Sequence, residues 1–355
     1  MENRFKLGDH FKGRGAQIKT RNRFLSREYV TEHVEGLDEE LHVNPHTKIY
    51  YEQSKSIVNK ISSPDLGMSY SLNPYQGCEH GCSYCYARNT HENYGLDAGI
   101  DFESKIMVKN NAAKLLEELF LKKSWRATPI SLSGNTDCYQ PIERKLSITR
   151  ALLSVFLKYR HPVGIITKNS LILRDLDILQ ELARHRLVHV YISITTLDEQ
   201  LRRAMEPRTA SASKRIQTIA QLSDSGIPVG VMNAPIIPGL NDHEIPSILK
   251  AASDAGALAA GKTLIRLNGN VAPIFKNWIA THYPNRASKV WNQIQSIHGG
   301  QVNDSRFGKR MTGEGKIAEI INQLFLTAKN KQFQHKSFPD YDLSLFRRGG
   351  NLNLF

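Results

Sequence analysis

Short apolar runs alternate with amphipathic segments along the middle of this 355-residue chain. Six runs rich in Val, Ile, Leu or Thr are bounded by polar or turn residues, which favours strands: 67–72, 129–132, 163–167, 188–194, 228–234 and 263–267. The segments between them carry apolar residues at i, i+3 and i+4, as amphipathic helices do: 111–121, 149–159, 176–183, 213–223 and 244–252. This alternation predicts an α/β fold with a parallel sheet, either doubly wound or closed into a complete or partial barrel.

The regions outside this pattern suggest four parts of the chain. Residues 1–60 read as a basic, polar N-terminal extension with little core of its own, and residues 61–270 form the α/β core. Residues 271–330 become helical, with candidate helices at 273–280, 287–297 and 316–328, and residues 331–355 read as a loose tail. In either α/β architecture, the chemistry is expected in loops at the carboxyl ends of the strands.

Composition limits the class of protein. No apolar stretch approaches the roughly 18 residues that span a bilayer, and the basic N-terminus lacks a signal-peptide core, so we expect a cytoplasmic protein without a membrane partner. The net charge of +13 suits a polyanionic partner such as nucleic acid. The same charge would also serve solubility alone, since much of it lies near the two ends.

Three of the four cysteines form a C-x3-C-x2-C array made of Cys78, Cys82 and Cys85. The array follows the first predicted strand, in a loop where Gly77 and Gly81 let the backbone fold around a compact object. So few cysteines cannot form a disulfide scaffold, which points to metal or redox chemistry. Three thiolates can hold three irons of a 4Fe–4S cluster and leave the fourth iron open.

Zinc is the competing metal for this array. A zinc ion would need a fourth ligand, which His80 or Cys138 could provide. The alternative function is then a zinc-stabilised nucleic-acid-binding protein without catalysis. Buried structural cysteines are a third reading, although a polar, glycine-containing loop makes a poor core.

The array has aromatic Tyr84 directly before its last cysteine, and it resembles the C-x3-C-x-aromatic-C signature of the radical S-adenosylmethionine (SAM) superfamily. Further motifs resemble the branch that contains spore photoproduct lyase and DNA-repair-photolyase-like bacterial proteins. They are N-T-D at 135–137, P-I-E at 141–143, I-T-K at 166–168, S-I-T-T at 193–196, E-P-R at 206–208 and A-P-I-I-P-G-L-N-D at 234–242. The resemblance covers about residues 67–310.

This resemblance implies a partial (βα)6 TIM-like barrel with the cluster loop after its first strand, flanked by the N-terminal extension and the C-terminal helices. It implies a 4Fe–4S cluster on the three cysteines, with SAM bound at the open iron. The expected reaction is reductive cleavage of SAM to a 5′-deoxyadenosyl radical, which abstracts hydrogen from an unidentified substrate, with a nucleic-acid lesion as the candidate. Flavodoxin or ferredoxin is the expected type of electron donor.

The resemblance also places SAM contacts on successive strand ends: Tyr84, Asn135, Asp137, Lys168, Ser193, Thr195, Arg208 and Asn233. A carboxylate at Asp137 could accept from the SAM ammonium or cap the following segment. The planar fork of Arg208 suits a carboxylate, or it is an ordinary surface side chain. Cys138 is a candidate hydrogen donor by its place beside the site, and a half-buried loop thiol otherwise.

Overall fold

The computed structural model describes residues 11–25 and 46–349 of the chain. The strands in these ranges are β1 (Lys48–Glu52), β2 (Val58–Lys60), β3 (Tyr70–Leu72), β4 (Tyr75–Gln76), β5 (Lys105–Lys109), β6 (Ile130–Leu132), β7 (Val163–Thr167), β8 (Val188–Ser193), β9 (Val229–Ile236) and β10 (Ala259–Leu264). The α-helices are α1 (Ile100–Ser104), α2 (Ala112–Leu121), α3 (Glu143–Leu146), α4 (Ile148–Lys158), α5 (Leu176–Arg184), α6 (Glu199–Met205), α7 (Ala212–Asp224), α8 (Ile245–Asp254), α9 (Val271–His282), α10 (Pro284–Ser296) and α11 (Gly315–Phe333). Short 3-10 helices occupy Tyr86–Tyr94, Ser170–Asp175, Asp242–Glu244 and Leu343–Leu345.

The main sheet contains six parallel strands in the order β3-β6-β7-β8-β9-β10, with β2 antiparallel to β3 at one side. Helices connect successive parallel strands, so the predicted α/β fold with a parallel sheet is confirmed. The carboxyl ends of the six strands lie along one edge, which we call the carboxyl edge. The opposite edge is the amino edge.

One face of this sheet is covered by helices. Val163, Val188 and Val229 lie in the main hydrophobic core together with Phe156 of α4 and Leu179 of α5. This buried apolar surface is the main stabilising contribution to the fold. Among the described residues, no helix combines the length and the apolar character that crossing a membrane would require.

Strand β10 begins at Ala259, four residues before its predicted start at residue 263. Its residues 259–262 are small or polar and have low β-propensity, so the apolar pattern misses them. The strand forms there because residues 259–262 pair in parallel with residues 230–233 of β9. Ile265 and Leu267, which moved the prediction forward, pack instead into a second core around α9 and α10.

The N-terminal extension is more integrated than predicted. Strand β1 pairs in parallel with β5, which pairs with β4 to make a second, three-stranded sheet. Ile57 is buried in the main core, and Ala16 is also buried. The remaining residues of the predicted extension, 1–10 and 26–45, lie outside the described residues.

The C-terminal segment also differs from the predicted loose tail, because its aromatic side chains pack on the main sheet. Tyr341 donates to the carbonyl of Val163 at 3.3 Å, and its ring stacks on His189 with 3.9 Å between centroids. Phe338 stacks on the same imidazole at 4.4 Å. A Cβ at Gly230 would lie 2.8 Å from the Tyr191 ring, 2.9 Å from the carbonyl oxygen of Ala259 and 3.0 Å from Phe338, so glycine leaves room for the neighbouring strand and for both rings. The segment thus packs at the amino edge, on the sheet face opposite the helices.

Candidate active site at the carboxyl edge

The loop that carries the three cysteines begins directly after β4. Gly77 and Gly81 have φ values of +84° and +67°, a left-handed conformation that favours glycine. The backbone amide of Cys78 donates to the carbonyl of Phe102 at 2.9 Å. Cys85 ends the loop at the start of the 3-10 helix Tyr86–Tyr94. The loop is therefore a fixed turn and not a flexible connection.

The three thiols share a largely buried environment with charged side chains nearby. Cys78 and Cys82 are buried and Cys85 is half-buried, and burial raises the pKa of all three thiols. The ammonium of Lys168 lowers the pKa of Cys82 and Cys85 in part. Thiols in such a place need a nearby cationic centre to ionise, and an iron–sulfur cluster is one. Three soft ligands on one loop fit such a cluster.

A buried ion pair supports the loop from below. Arg88 is fully buried, pairs with Glu103 at 2.5 Å, and donates two hydrogen bonds to the carbonyl of Cys82 at 2.8 and 2.9 Å. The same guanidinium donates to the carbonyl of Gly99 at 2.9 Å. This arrangement fixes the backbone between the second and third cysteines, since all these groups are excluded from water.

An N-terminal segment lies over the loop. The backbone amides of Gly15 and Ala16 donate to the two carboxylate oxygens of Glu103 at 3.1 and 2.7 Å. A Cβ at Gly15 would lie only 1.7 Å from the carbonyl oxygen of Gly81. The two backbones therefore touch, and the segment covers the cysteine loop.

Asp137 joins the loop to the strands. It follows β6, accepts hydrogen bonds from the hydroxyl of Thr167 at 2.7 Å and the amide of Lys168 at 2.8 Å, and lies 3.3 Å from the ring of His80. Burial tends to raise the pKa of this carboxyl, but His80 and the donors outweigh burial and hold the pKa at about 2. Asp137 thus stays ionised and links the cysteine loop to β6 and β7.

Glu206 is the centre of a second buried network. The hydroxyls of Tyr84 and Thr195 donate to one carboxylate oxygen, and Arg215 forms an ion pair with the other. Burial tends to raise the pKa of Glu206, but the charges of Arg215 and Lys168 and the hydroxyl donors bring it to about 2. Two predicted SAM contacts, Tyr84 and Thr195, are therefore held by an ionised carboxylate.

Sequence reasoning missed this role of Glu206. The E-P-R motif drew attention to Arg208, whereas the ion pair with Arg215 is formed by Glu206, the first residue of that motif. Arg215 is the partner that was not anticipated, and it also donates to the carbonyl of Ser193 at 2.9 Å. No local pattern in the sequence indicates this pair, because Glu206 follows α6 and Arg215 lies in α7.

The other predicted SAM contacts also lie at the carboxyl edge. Lys168 has its charge beside two of the cysteines and Glu206, and Ser193 is buried at the end of β8. Asn233 is buried and donates to the carbonyl of Ile194 at 2.9 Å, while its side-chain oxygen has no hydrogen-bond partner among the described residues. Asn135 is half-buried beside the same edge. Contact of these residues with SAM stays a prediction.

Arg208 is placed differently. Its backbone amide donates to the carbonyl of His80 at 3.3 Å, and its side chain lines a separate pocket with Arg144 and Lys214. Cys138 also differs from the other cysteines, because it is completely buried in the main hydrophobic core. That burial argues against the predicted hydrogen-donor role, which requires a thiol that reaches the substrate.

Comparison with known proteins gives a consistent picture. Residues 72–252 match the radical SAM superfamily. An uncharacterized protein of Mycobacterium tuberculosis is 32% identical over 238 residues, which are 66% of this chain and 70% of that protein. The radical SAM Nalpha-GlyT isomerase of Pseudomonas phage M6 is 25% identical over 172 residues, 48% of this chain and 34% of that protein.

Solved structures agree on the fold. A spore photoproduct lyase variant with bound AdoMet and dinucleoside spore photoproduct superposes with a TM-score of 0.58. The superposition covers 86% of this chain and 85% of that one, at 14% sequence identity. At this identity the likeness shows the fold alone. Together with the family match over half of the sequence, the cysteine loop at the carboxyl edge shows that the chain belongs to the radical SAM superfamily and is an enzyme of that superfamily.

Proposed function

We propose that Cys78, Cys82 and Cys85 hold a 4Fe–4S cluster and that SAM binds beside it at the carboxyl edge. Such a cluster, once reduced, supplies the electron that cleaves SAM to methionine and a 5′-deoxyadenosyl radical, which abstracts hydrogen from the substrate. The observation that carries the proposal is the set of three thiols on one loop, two buried and one half-buried, with the fourth cysteine of the chain placed in the hydrophobic core. A protein ligand set of three leaves one iron free.

The residues around the loop would position SAM and exclude water. Lys168 brings a positive charge next to the thiols, where it suits the carboxylate of an amino acid. The unpaired side-chain oxygen of Asn233 is a buried acceptor, and such an atom is costly unless a ligand donates to it. Asp137 and Glu206 are occupied by protein donors, so we assign them the role of holding Tyr84, Thr195 and the loop in place.

The substrate class that we propose is nucleic acid. The support is the net charge of +13 and the fold shared with a spore photoproduct lyase whose structure contains a dinucleoside lesion. We also propose an acidic electron-transfer protein of the flavodoxin or ferredoxin type as the reductant. Neither partner is part of the structure.

The zinc alternative has little support. It needs a fourth ligand from His80 or Cys138, but the His80 ring lies between Asp137 and Asn169, and Cys138 lies in the core. The chain matches a superfamily of enzymes, which contradicts the non-catalytic alternative.

Anaerobic reconstitution tests the proposal. Reduced, iron-loaded protein should convert SAM to 5′-deoxyadenosine, measured by chromatography. Cys78→Ala, Cys82→Ala and Cys85→Ala should each lose bound iron and sulfide, whereas Cys138→Ala should keep both and serves as the matched control. Iron-replete protein that leaves SAM intact would refute the proposal, and equal iron loss in all four variants would put Cys138 among the ligands.

A further inference from the structure

A concave pocket of about 320 Å³ lies at the carboxyl edge, beside the cysteine loop. Its walls come from three successive βα loops: residues 141 and 144 after β6, residues 169–171 after β7, and residues 208–211 with Lys214 after β8. Residues at this edge are where α/β enzymes bind their ligands. The pocket is separate from the hydrophobic face around Cys82 and Tyr84.

The charge of the pocket is entirely positive. Arg144, Arg208 and Lys214 line it, and no aspartate or glutamate does. In the part of the chain that the structure describes, none of these three side chains forms an ion pair with a carboxylate. Arg144 and Lys214 are exposed, whereas Arg208 is half-buried and lacks the carboxylate partner that the half-buried Arg174 and Arg310 have. Three unpaired cations around one concavity raise the local concentration of anions.

The helix end at the pocket and the hydrogen-bond donors around it also favour an anion. Helix α7 has 13 residues and its first turn faces the pocket, since Ser211 is its N-cap and Lys214 lies in its first turn. The positive end of the helix dipole therefore adds to the three cations. A planar guanidinium fork, a lysine and a serine hydroxyl are the donors that bind phosphate oxygens.

We propose that this pocket binds a phosphate group of the substrate. The inference rests on the proposed function, because it names the group by which a nucleic-acid substrate is anchored outside the cysteine loop. Three cations from three separate loops around one opening suit the compact charge of a phosphate group, whereas an acidic protein would need a broader basic surface. The pocket also contacts the loop directly: the amide of Arg208 donates to the carbonyl of His80, and Asn169 lies 3.3 Å from the His80 ring.

Binding of oligonucleotide by intact, anaerobically purified protein tests this site. The double variant Arg144→Gln/Lys214→Gln should bind a short single-stranded oligonucleotide about tenfold more weakly at moderate salt, with a log–log salt slope reduced by about 1 for each cation removed. The matched control is Lys145→Gln/Lys289→Gln, which removes two exposed lysines outside the pocket and should bind like the native protein. Fluorescence anisotropy gives both affinity and slope.

A second arm separates the possible sources of the phosphate. Thymidine 5′-monophosphate is titrated in place of the oligonucleotide. If it binds, the pocket variant loses it and the oligonucleotide does not bind, the phosphate belongs to a free phosphorylated molecule; if both ligands bind and the variant weakens both, it belongs to a nucleic acid. Equal weakening by the pocket and control variants, or no binding of either ligand, overturns the proposal. So does a pocket variant that binds both ligands normally but slows reduction by flavodoxin, which would make the pocket a docking site for an acidic protein. Iron content and SAM cleavage, recorded on the same samples, show separately whether the proposed function itself fails.

Discussion

The two edges of the main sheet are covered by different kinds of side chain. At the carboxyl edge the chain buries charged groups, with Glu206 and Arg215 in one network and Arg88 and Glu103 in another. At the amino edge the C-terminal segment buries rings, and the His189 imidazole between Phe338 and Tyr341 has its pKa lowered by burial, so it is neutral.

This difference separates function from stability within one sheet. Replacing a buried ion pair by apolar side chains is often neutral or stabilising, so buried pairs are weak contributors to stability by themselves. Their concentration around the cysteine loop is better explained by the need to hold the ligands in one geometry. Stacked rings at the amino edge contribute apolar burial and need no such geometry. The comparison predicts that substitutions at the carboxyl edge change iron binding, and that those at the amino edge change stability alone.

The largest expected effect is at the buried ion pair. Arg88→Met removes the buried guanidinium from Glu103, whose carboxylate keeps the amides of Gly15 and Ala16 as donors, and it removes both donors to Cys82. The free energy of unfolding should therefore fall by about 3–5 kcal/mol. Chemical denaturation measures it. The control Arg203→Met breaks an exposed pair with Glu199 and should cost about 0.5 kcal/mol or less. If the two variants lose similar stability, the carboxyl edge does not depend on its buried charge.

The covering segment gives the next effect. In Gly15→Ala the new methyl group would overlap the carbonyl of Gly81, so the segment must move away at a cost of about 3 kcal/mol. Iron should then be removed faster by a chelator, followed by absorbance. Gly67→Ala is the control, because a Cβ there meets nothing within 4 Å. An unchanged chelation rate in Gly15→Ala would mean that the segment does not protect the cluster loop.

Phe338→Ala tests the amino edge. The variant loses the stacking on His189 and the edge contact with Tyr191, and since Phe338 is half-buried the cost should be about 2 kcal/mol. Iron content and SAM cleavage should be unchanged below the melting temperature. Leu343→Ala, an exposed position of the same segment, should change neither property. Loss of iron in Phe338→Ala would show that the two edges are coupled.

Much of the fold could be predicted because it depends on local patterns. Five of the six predicted strands and the helices between them are present, since apolar periodicity reports which face of an element is buried. The sixth strand was placed late because its residues 259–262 are small or polar and have low β-propensity. Their pairing with β9, which begins at Val229, is not visible in the local sequence.

The site was predictable only where residues are close in sequence. The cysteine array has its ligands within eight positions, whereas Tyr84 and Glu206 meet across 122 residues. The tail was misread for the same reason: Phe338 and Tyr341 lie among polar residues, and their partner His189 is about 150 residues earlier. Polar composition predicts a loose segment when its aromatic contacts are distant.

The smallest expected effect is electrostatic and depends on pH. Burial and the neighbouring carboxylate of Asp101 raise the pKa of Asp97 to about 7, although the amide of Gly99 donates to it. The folded protein therefore holds a proton on Asp97 that the unfolded chain releases near pH 4. The stability from this proton is full below about pH 4 and is lost as the pH rises towards 7.

Asp97→Asn removes this pH dependence while keeping a side-chain oxygen as acceptor for Gly99. At pH 8 the variant should be more stable than the native protein by about 1 kcal/mol, a value discounted because the group is partly exposed. At pH 4 the two proteins should unfold alike, which makes low pH the internal control. Because Gly99 also accepts from Arg88, the gain belongs to the carboxyl edge. A variant less stable at pH 8 would show that the Asp97 charge supports the loop, and that buried charge at this edge serves stability as well as geometry.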